Sequence, residues 1–172
     1  NDRTLYCIMT YYDRNNIFLM LLTSYVEVLL YIYKIEIEMG KNPVLSKIIN
    51  RYPYEFKELN INTIVNVTNE ITNYFDNIQE YDYLKININD TNSDSIKNFF
   101  DESNQYIKDI QQQKPDKNIL IHCYMGSSRS ATILTAYLLK NFNLNPKQAF
   151  SLLQEKRPVV NINTQFWDEL QD

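Results

Sequence analysis

The chain of 172 residues contains little histidine, cysteine or glycine: one His, two Cys and two Gly. One histidine and two cysteines cannot form a zinc-type ligand cluster, so no metal site is expected from them. Two cysteines far apart give no disulfide framework, which favours reduced thiols and a cytoplasmic or nuclear location. Lys and Arg (17) do not outnumber Asp and Glu (21), so the basic excess typical of nucleic-acid-binding proteins is missing. The length and overall composition of the chain fit an ordinary globular protein with one sizeable core.

The longest apolar run is IFLMLLTSYVEVLLYIY, residues 17–33. It is barely long enough for a membrane span, and Glu27 in its middle would be costly in a bilayer. A helix that is buried or forms a dimer contact is therefore preferred to a membrane segment. Alternating apolar and charged residues over 33–39 then predict a strand that ends at Gly40. We expect residues 1–40 to hold this helix and the first strand.

From residue 41 onward, strand and helix patterns alternate. Strands are predicted at 61–68, 81–90 and 118–123, and 69–77 reads as a short helix or a loop. Helices are predicted at 53–60 (stopping at Asn60), 91–113 (capped by Ser93 or Asp94), from Ser130, at 145–157 and near 164–171. This order predicts an α/β fold with a central, mostly parallel sheet flanked by helices.

The rare residues are concentrated in IHCYMGSSRS, residues 121–130, which contains the only histidine and one of the two glycines. The predicted order is strand, loop, helix. Ligands bind at the carboxyl ends of parallel strands, and the free amides of a helix start favour anions. Gly126 lets the loop curl so that successive amides converge, and Arg129 adds a planar fork of donors that matches two phosphate oxygens. The loop therefore predicts a phosphate site.

Cys123 lies at the base of this predicted phosphate site. The positive surroundings should favour its thiolate, which is the nucleophilic form. A thiolate aimed at a bound phosphorus atom can accept the phosphoryl group. Ser130 can donate a hydrogen bond to the sulfur and stabilise it as the leaving group of a second step. One further acid/base group must serve both steps.

The stretch HCYMGSSRS resembles the signature loop of the cysteine-dependent protein phosphatases, H-C-x-x-G-x-x-R followed by Ser or Thr. Its ending, with SATILTAYLL after it, resembles the dual-specificity branch. The resemblance runs from about Ile61 to Trp167 and implies a phosphatase-like catalytic domain over 41–172, without a metal or another cofactor. The phosphate-binding residues that it implies are Tyr124, Met125, Gly126, Ser127, Ser128 and Arg129.

The resemblance also implies the remaining site residues. The family carries an aspartate general acid upstream of the nucleophile, after a strand, and Asp90 fits that position. Asp94 lies in the same loop and is the second candidate. His122 is implied to orient the loop and to tune the thiolate, and Asn163, with Phe166, matches a Pro-Asn-x-x-Phe stretch of the family and is given a supporting role.

The expected function is hydrolysis of phosphotyrosine and of phosphoserine or phosphothreonine in a phosphorylated protein substrate. The loop's variable positions Tyr124, Met125, Ser127 and Ser128 carry no cation, which disfavours a highly charged lipid or an RNA 5′ end. Short connections around the loop predict a shallow site. Three alternatives stay open: a phosphoprotein-binding module with little turnover, a phosphatase of non-protein phosphate esters, and a rhodanese-like domain.

Overall fold

A single mixed sheet organises the described part of the chain. The computed structural model describes residues 9–12, 18–21, 60–73, 75, 76 and 79–172. The strands are β1 (Met9–Tyr12), β2 (Phe18–Leu21), β3 (Ile61–Asn66), β4 (Asp82–Lys85) and β5 (Asn118–His122). They lie side by side in the order β1-β2-β5-β3-β4. Only β1 is antiparallel to its neighbour among them. The predicted α/β fold with a mostly parallel sheet is confirmed.

The helices of the described part are α1 (Phe100–Gln113), α2 (Arg129–Phe142), α3 (Pro146–Lys156) and α4 (Thr164–Glu169), and a short 3-10 helix (Lys97–Phe99) precedes α1. Helix α3 begins as its sequence predicts. The Asn145 side chain accepts from the Gln148 amide at 3.0 Å, and the Gln148 side chain accepts from the Asn145 amide at 3.0 Å. Pro146, which has no amide hydrogen to satisfy, occupies the first turn.

Strand β5 is central and buried on both faces. Ile119 and Ile121 pack into the larger core cluster, whereas Leu120 points into a smaller cluster, as the alternation of side chains along a strand requires. Helix α2, which follows β5, is buried from Arg129 through Leu138. The loop that joins β5 to α2 is therefore fixed at both ends by well-packed elements.

Two predictions of secondary structure were wrong in the described residues. Residues 18–21 were assigned to a helix but form strand β2, because their backbone pairs with β1 on one side and with β5 on the other. A short apolar run cannot by itself be told from a buried helix segment. The strand predicted over 81–90 is shorter, since β4 covers only Asp82–Lys85 and the chain then leaves the sheet.

The helix cap predicted at Ser93 or Asp94 was also wrong. The amides of Ile96 and Lys97 instead donate to the Oε2 atom of Glu169, each at 2.9 Å. Asp94 accepts from the Thr91 hydroxyl at 2.9 Å within a local turn. A carboxylate from the far end of the chain thus satisfies the amides at this helix start.

Several predictions fall outside the described residues. They are the 22–33 part of the apolar helix with its dimer contact, the strand over 33–39 and the helix over 53–59. Asn60, predicted to stop that helix, lies in a turn with a φ of 53°. No helix within the described ranges is long and apolar enough to cross a membrane.

Candidate active site

Three loops meet at one edge of the sheet, where the parallel strands β3, β4 and β5 end. Glu70 lies on the loop after β3, Asp90 on the loop after β4, and Cys123 directly after β5. Because the carboxyl ends of adjacent parallel strands share one edge, residues distant in sequence are brought together there.

The loop after β5 is curled, and its carbonyl groups are held from one side. Gly126 has a φ of 64°, which a residue without Cβ adopts readily. The carbonyls of Met125 and Gly126 accept from Nη2 and Nε of Arg157, at 3.1 and 2.8 Å. The Ser127 carbonyl accepts from the amide of Asn161 at 2.9 Å. In a trans peptide the N–H points opposite to the preceding C=O. The amides of Gly126 and Ser127 therefore point away from Arg157, and the amide of Ser128 points away from Asn161.

The amides of residues 124–128 donate to no other group within the described part of the chain. Successive unpaired amides on a curled loop make a concave site for an anion. This is the arrangement expected of a phosphate-binding loop, and it rests on Arg157, a residue that the sequence analysis did not single out. Arg157 is buried, and arginine is rarely buried without specific partners, but this burial is visible only in the fold and not in the sequence.

Cys123 lies at the base of the loop and is 1% exposed. The Ser130 hydroxyl, also buried, donates to its sulfur at 3.2 Å. A donor at this position stabilises negative charge on the sulfur. The contact predicted between Ser130 and Cys123 is therefore present in the structure.

His122 directly precedes Cys123, and its Nδ1 atom lies 3.4 Å from the Cys123 carbonyl oxygen. Burial, followed by the nearby positive charges of Lys85 and Arg129, lowers the pKa of His122 to about 4, against the opposing effect of the Cys123 carbonyl. The ring is therefore neutral at pH 7, and since a carbonyl can only accept, Nδ1 carries the hydrogen. A neutral donor of this kind is suited to orienting the loop and not to supplying a proton.

Arg129 is 5% exposed at its side chain and is held by two loops. Nη1 donates to Oε2 of Glu70 at 2.8 Å and to the Ile88 carbonyl at 3.1 Å, and Nη2 donates to Oε1 of Glu70 at 2.7 Å. An arginine has five N–H donors, and these contacts use three. The donors without a hydrogen-bond partner among the described residues are the buried Nε–H and one hydrogen on Nη2. Together they form the side-on pair that can bind two oxygens of one phosphate.

Glu70 was missed by the sequence analysis. Its partial burial raises its pKa, but the hydrogen bonds and charge of Arg129 outweigh that effect, and the net pKa lies below the usual value. Burial lowers the pKa of Arg129, but Glu70, with the charges of Cys123 and Asp90, raises it above its usual value. Both groups therefore stay charged. The signal that could have found Glu70 is an acidic side chain directly after a buried strand that neighbours β5.

The loop that carries Glu70 is fixed by its own polar side chains. The Thr68 hydroxyl donates to Oδ1 of Asn66 at 2.7 Å and accepts from the Ile71 amide at 3.1 Å. The Asn66 side chain donates to the Ile71 carbonyl at 2.9 Å, and Lys85 donates to the same carbonyl. Glu70 is thus presented to Arg129 by an ordered loop even though its own side chain is partly exposed.

Asp90, and not Asp94, contacts the phosphate loop. Oδ1 of Asp90 accepts from the Ser128 hydroxyl at 2.8 Å and from Nδ2 of Asn163 at 2.6 Å. Its Oδ2 atom lies 3.9 Å from Nε of Arg129. Three parts of the sequence therefore meet at one point: Asp90, the adjacent Ser128 and Arg129, and Asn163.

Exposed apolar side chains occur on the loop after β5 and on the segment that supports it. Tyr124 is 45% exposed, Met125 is 54% exposed, and Val159, on the segment that supports the loop, is 58% exposed. No group of three or more His, Cys, Asp or Glu suited to a metal ion occurs within the residues that the structure describes.

The chain matches the family described as "Dual specificity phosphatase, catalytic domain" over residues 46–172. Human dual specificity protein phosphatase 6 is 33% identical over 116 residues, which are 67% of this chain and 30% of that protein. The chain thus spans less than a third of that relative. Among solved structures, DUSP15 superimposes with a TM-score of 0.59 at 29% identity, covering 64% of this chain and 68% of that one. A human tyrosine phosphatase-like serine/threonine/tyrosine-interacting protein gives a TM-score of 0.62 at 27% identity, covering 67% and 78%.

Proposed function

This chain belongs to the dual specificity phosphatase catalytic-domain family, and on that premise we propose that it removes phosphate from phosphotyrosine and phosphoserine or phosphothreonine of protein substrates. The observation that carries the proposal is the Cys123 sulfur at the base of a loop with unpaired amides, with Ser130 donating to it at 3.2 Å. The unused side-on donors of Arg129 supply a second, independent set of phosphate contacts.

In the first step, the Cys123 thiolate attacks the phosphorus atom. An S–P bond forms as the P–O bond to the substrate breaks. The loop amides and the side-on pair of Arg129 bind the non-bridging oxygens, whose charge they stabilise best in the transition state. Asp90, in its protonated form, gives its proton to the leaving oxygen.

In the second step, a water molecule attacks the phosphocysteine. An O–P bond forms, the S–P bond breaks, and Asp90 takes the proton from the water. The sulfur leaves as a thiolate, and the Ser130 hydroxyl donates to it. Inorganic phosphate is released and the starting protonation state of Asp90 is restored, so the two steps balance without a metal or another cofactor.

The substrate class is supported by the composition of the loop. Its variable positions carry no cation for a polyphosphate or a phosphoinositide headgroup, and its exposed Tyr124 and Met125 offer apolar contacts that suit a peptide. The proposed site is shallow enough for phosphothreonine as well as phosphotyrosine. A cysteine can act as the nucleophile only while its thiol is reduced, which supports a cytoplasmic or nuclear place of action.

Matched phosphopeptides test this proposal. Three peptides that differ only in carrying phosphotyrosine, phosphothreonine or phosphoserine should all lose phosphate, with the tyrosine peptide fastest because phenolate is the better leaving group. Vanadate should inhibit competitively, and a metal chelator should not inhibit. Tight binding of these peptides without phosphate release would identify a phosphoprotein-binding module instead, and turnover of small phosphate esters alone would identify a non-protein substrate.

A further inference from the structure

The two oxygens of the Asp90 carboxyl group have different surroundings. Oδ1 accepts two hydrogen bonds, from the Ser128 hydroxyl at 2.8 Å and from the Asn163 side-chain amide at 2.6 Å. Oδ2 accepts none among the described residues and lies 3.9 Å from the unused Nε of Arg129. Oδ1 is thus hydrogen-bonded to the protein, and Oδ2 faces the Nε–H of Arg129, which remains available for the phosphate.

This asymmetry determines where a proton on Asp90 must lie. Both contacts to Oδ1 are donors, so Oδ1 serves as the acceptor and the hydroxyl of the protonated acid is on Oδ2. Nε of Arg129 can only donate, so it does not take that proton. Resting on the phosphatase function proposed above, we propose that Ser128 and Asn163 are positioning residues for Asp90, which direct its proton on Oδ2 toward the leaving oxygen of the substrate.

The two proposed positioning residues are themselves held in place. Ser128 is 4% exposed, and its hydroxyl accepts from the Asn163 amide at 3.2 Å while it donates its single hydrogen to Asp90. Asn163 accepts from the Phe166 amide at 2.9 Å through Oδ1, which leaves its Nδ2 to donate. This second contact also caps helix α4. The phosphate loop, the acid loop and the last helix therefore converge on one carboxyl oxygen.

The inference gives Ser128 a second role. Its backbone amide belongs to the phosphate loop, but its side chain contacts the general acid and not the anion site. Ser128, the variable position before Arg129, would therefore affect proton transfer through its contact with Asp90. Loss of this hydroxyl should impair protonation of the leaving oxygen while phosphate binding by the loop continues.

The dependence of rate on the leaving group tests this role. Ser128→Ala and Asn163→Ser each remove a donor to Asp90, and serine at 163 still caps the helix. With phenyl phosphate, whose leaving group needs a proton, kcat/KM should fall about 10- to 100-fold, part of the 10²–10⁴ typical of acid catalysis. With an activated fluorinated coumarin phosphate, whose leaving group needs no proton, kcat/KM should stay within about threefold, since the loop and Arg129 are unchanged.

Two matched variants control for loosened packing. Thr164→Ala removes another hydrogen bond between the same segments, from the Thr164 hydroxyl to Oδ1 of Asn92 at 3.3 Å, and should leave the leaving-group pattern as in the wild type. Ser128→Thr keeps a hydroxyl at this position and should restore the phenyl phosphate rate lost in Ser128→Ala. Thermal melting of each variant reports whether it is folded.

The outcomes separate this inference from the proposed function. Equal losses with both substrates, or a loss in Thr164→Ala as large as that in Asn163→Ser, would show a merely structural role and overturn the inference alone. A wild-type chain without turnover of either ester would overturn the phosphatase function and this inference with it.

Discussion

Replacing Glu70 by glutamine removes the carboxylate that holds Arg129. The change keeps the shape of the side chain, but it replaces one of two acceptors by an amide group that faces an Arg129 N–H. The two hydrogen bonds, at 2.8 and 2.7 Å, are charge-assisted and of a kind worth about 1.5–3 kcal/mol each. Breaking a fully buried ion pair costs about 3–5 kcal/mol, whereas exposed pairs contribute about 0–1 kcal/mol.

The loss in the free energy of unfolding caused by Glu70→Gln should lie between these two limits. The Arg129 side chain is 5% exposed but that of Glu70 is 43% exposed, so solvent screens the pair from one side. We therefore expect a loss of about 2 kcal/mol in the free energy of unfolding, which lowers Tm by roughly 4–8 °C in a chain of this size. A mispositioned Arg129 presents its side-on donors poorly, and kcat/KM should fall by about 10- to 100-fold. Affinity for vanadate should fall with it.

Glu155→Gln is the matched control for this substitution. Glu155 lies on helix α3 and pairs with Lys156 at 3.0 Å, but both side chains are exposed. Its replacement should change the free energy of unfolding by no more than about 1 kcal/mol and leave turnover unchanged. The reasoning is refuted if Glu70→Gln matches this control in Tm, in kcat/KM and in vanadate affinity.

Three further substitutions probe the site and its support. Arg129→Lys keeps the charge but loses the side-on fork, so kcat/KM should fall at least about 100-fold; steady-state kinetics near wild type would contradict the bidentate contact. Ser130→Ala removes the donor to the Cys123 sulfur, so breakdown of the phosphocysteine should slow about 10- to 100-fold; rapid mixing should then show a burst of released phenol, and its absence would argue against the role. Burial raises the pKa of Glu169, but contacts from Ser95, Gln165, Lys97 and Ile96 lower it below its usual 4.5 overall. Its contribution to stability is therefore present above pH 4.5 and is lost as the pH falls through the lower folded pKa. Glu169→Gln should lower the free energy of unfolding by about 1 kcal/mol at pH 7 and by much less at acid pH, as measured by urea unfolding. A loss that does not depend on pH would contradict the role of the Glu169 carboxylate at this helix start.

The local parts of the fold follow from sequence pattern. The strand, loop and helix around Cys123 are predicted because apolar runs flank a short polar segment with Gly126. Helix α3 is predicted because Asn145 and Pro146 form a strong local start signal. Both depend on residues within a few positions of each other, which is the range at which a single sequence is informative.

The parts that escaped prediction depend on contacts between distant segments. Glu70 reaches Arg129, and Glu169 reaches the amides before α1, only after the strands have been ordered in the sheet. In the sequence, Arg157 resembles a solvent-exposed cation at a helix end. Only the structure shows that it donates to the carbonyls of Met125 and Gly126. Strand β2 is predicted wrongly as a helix because one of its two partners, β5, lies about a hundred residues further along the chain.

The site itself was predicted more completely than its support. Cys123 and Ser130 were predicted from the strand-loop-helix pattern and Asp90 from the resemblance, and the structure brings all three to the loop after β5. The residues that hold them carry no such motif. Glu70 and Asp90 each follow a predicted strand, but the structure gives them different partners: Glu70 accepts from Arg129, and Asp90 accepts from Ser128 and Asn163.

The central claim is that Cys123 becomes phosphorylated during turnover. Rapid acid quenching of the wild type during hydrolysis of p-nitrophenyl phosphate, followed by peptide mass spectrometry, should locate a phosphate on the peptide that contains Cys123. Cys123→Ser should show neither the adduct nor any turnover while remaining folded and able to bind a phosphotyrosine peptide. Measurable hydrolysis by pure Cys123→Ser, or a phosphate on another residue of the wild type, would contradict the account.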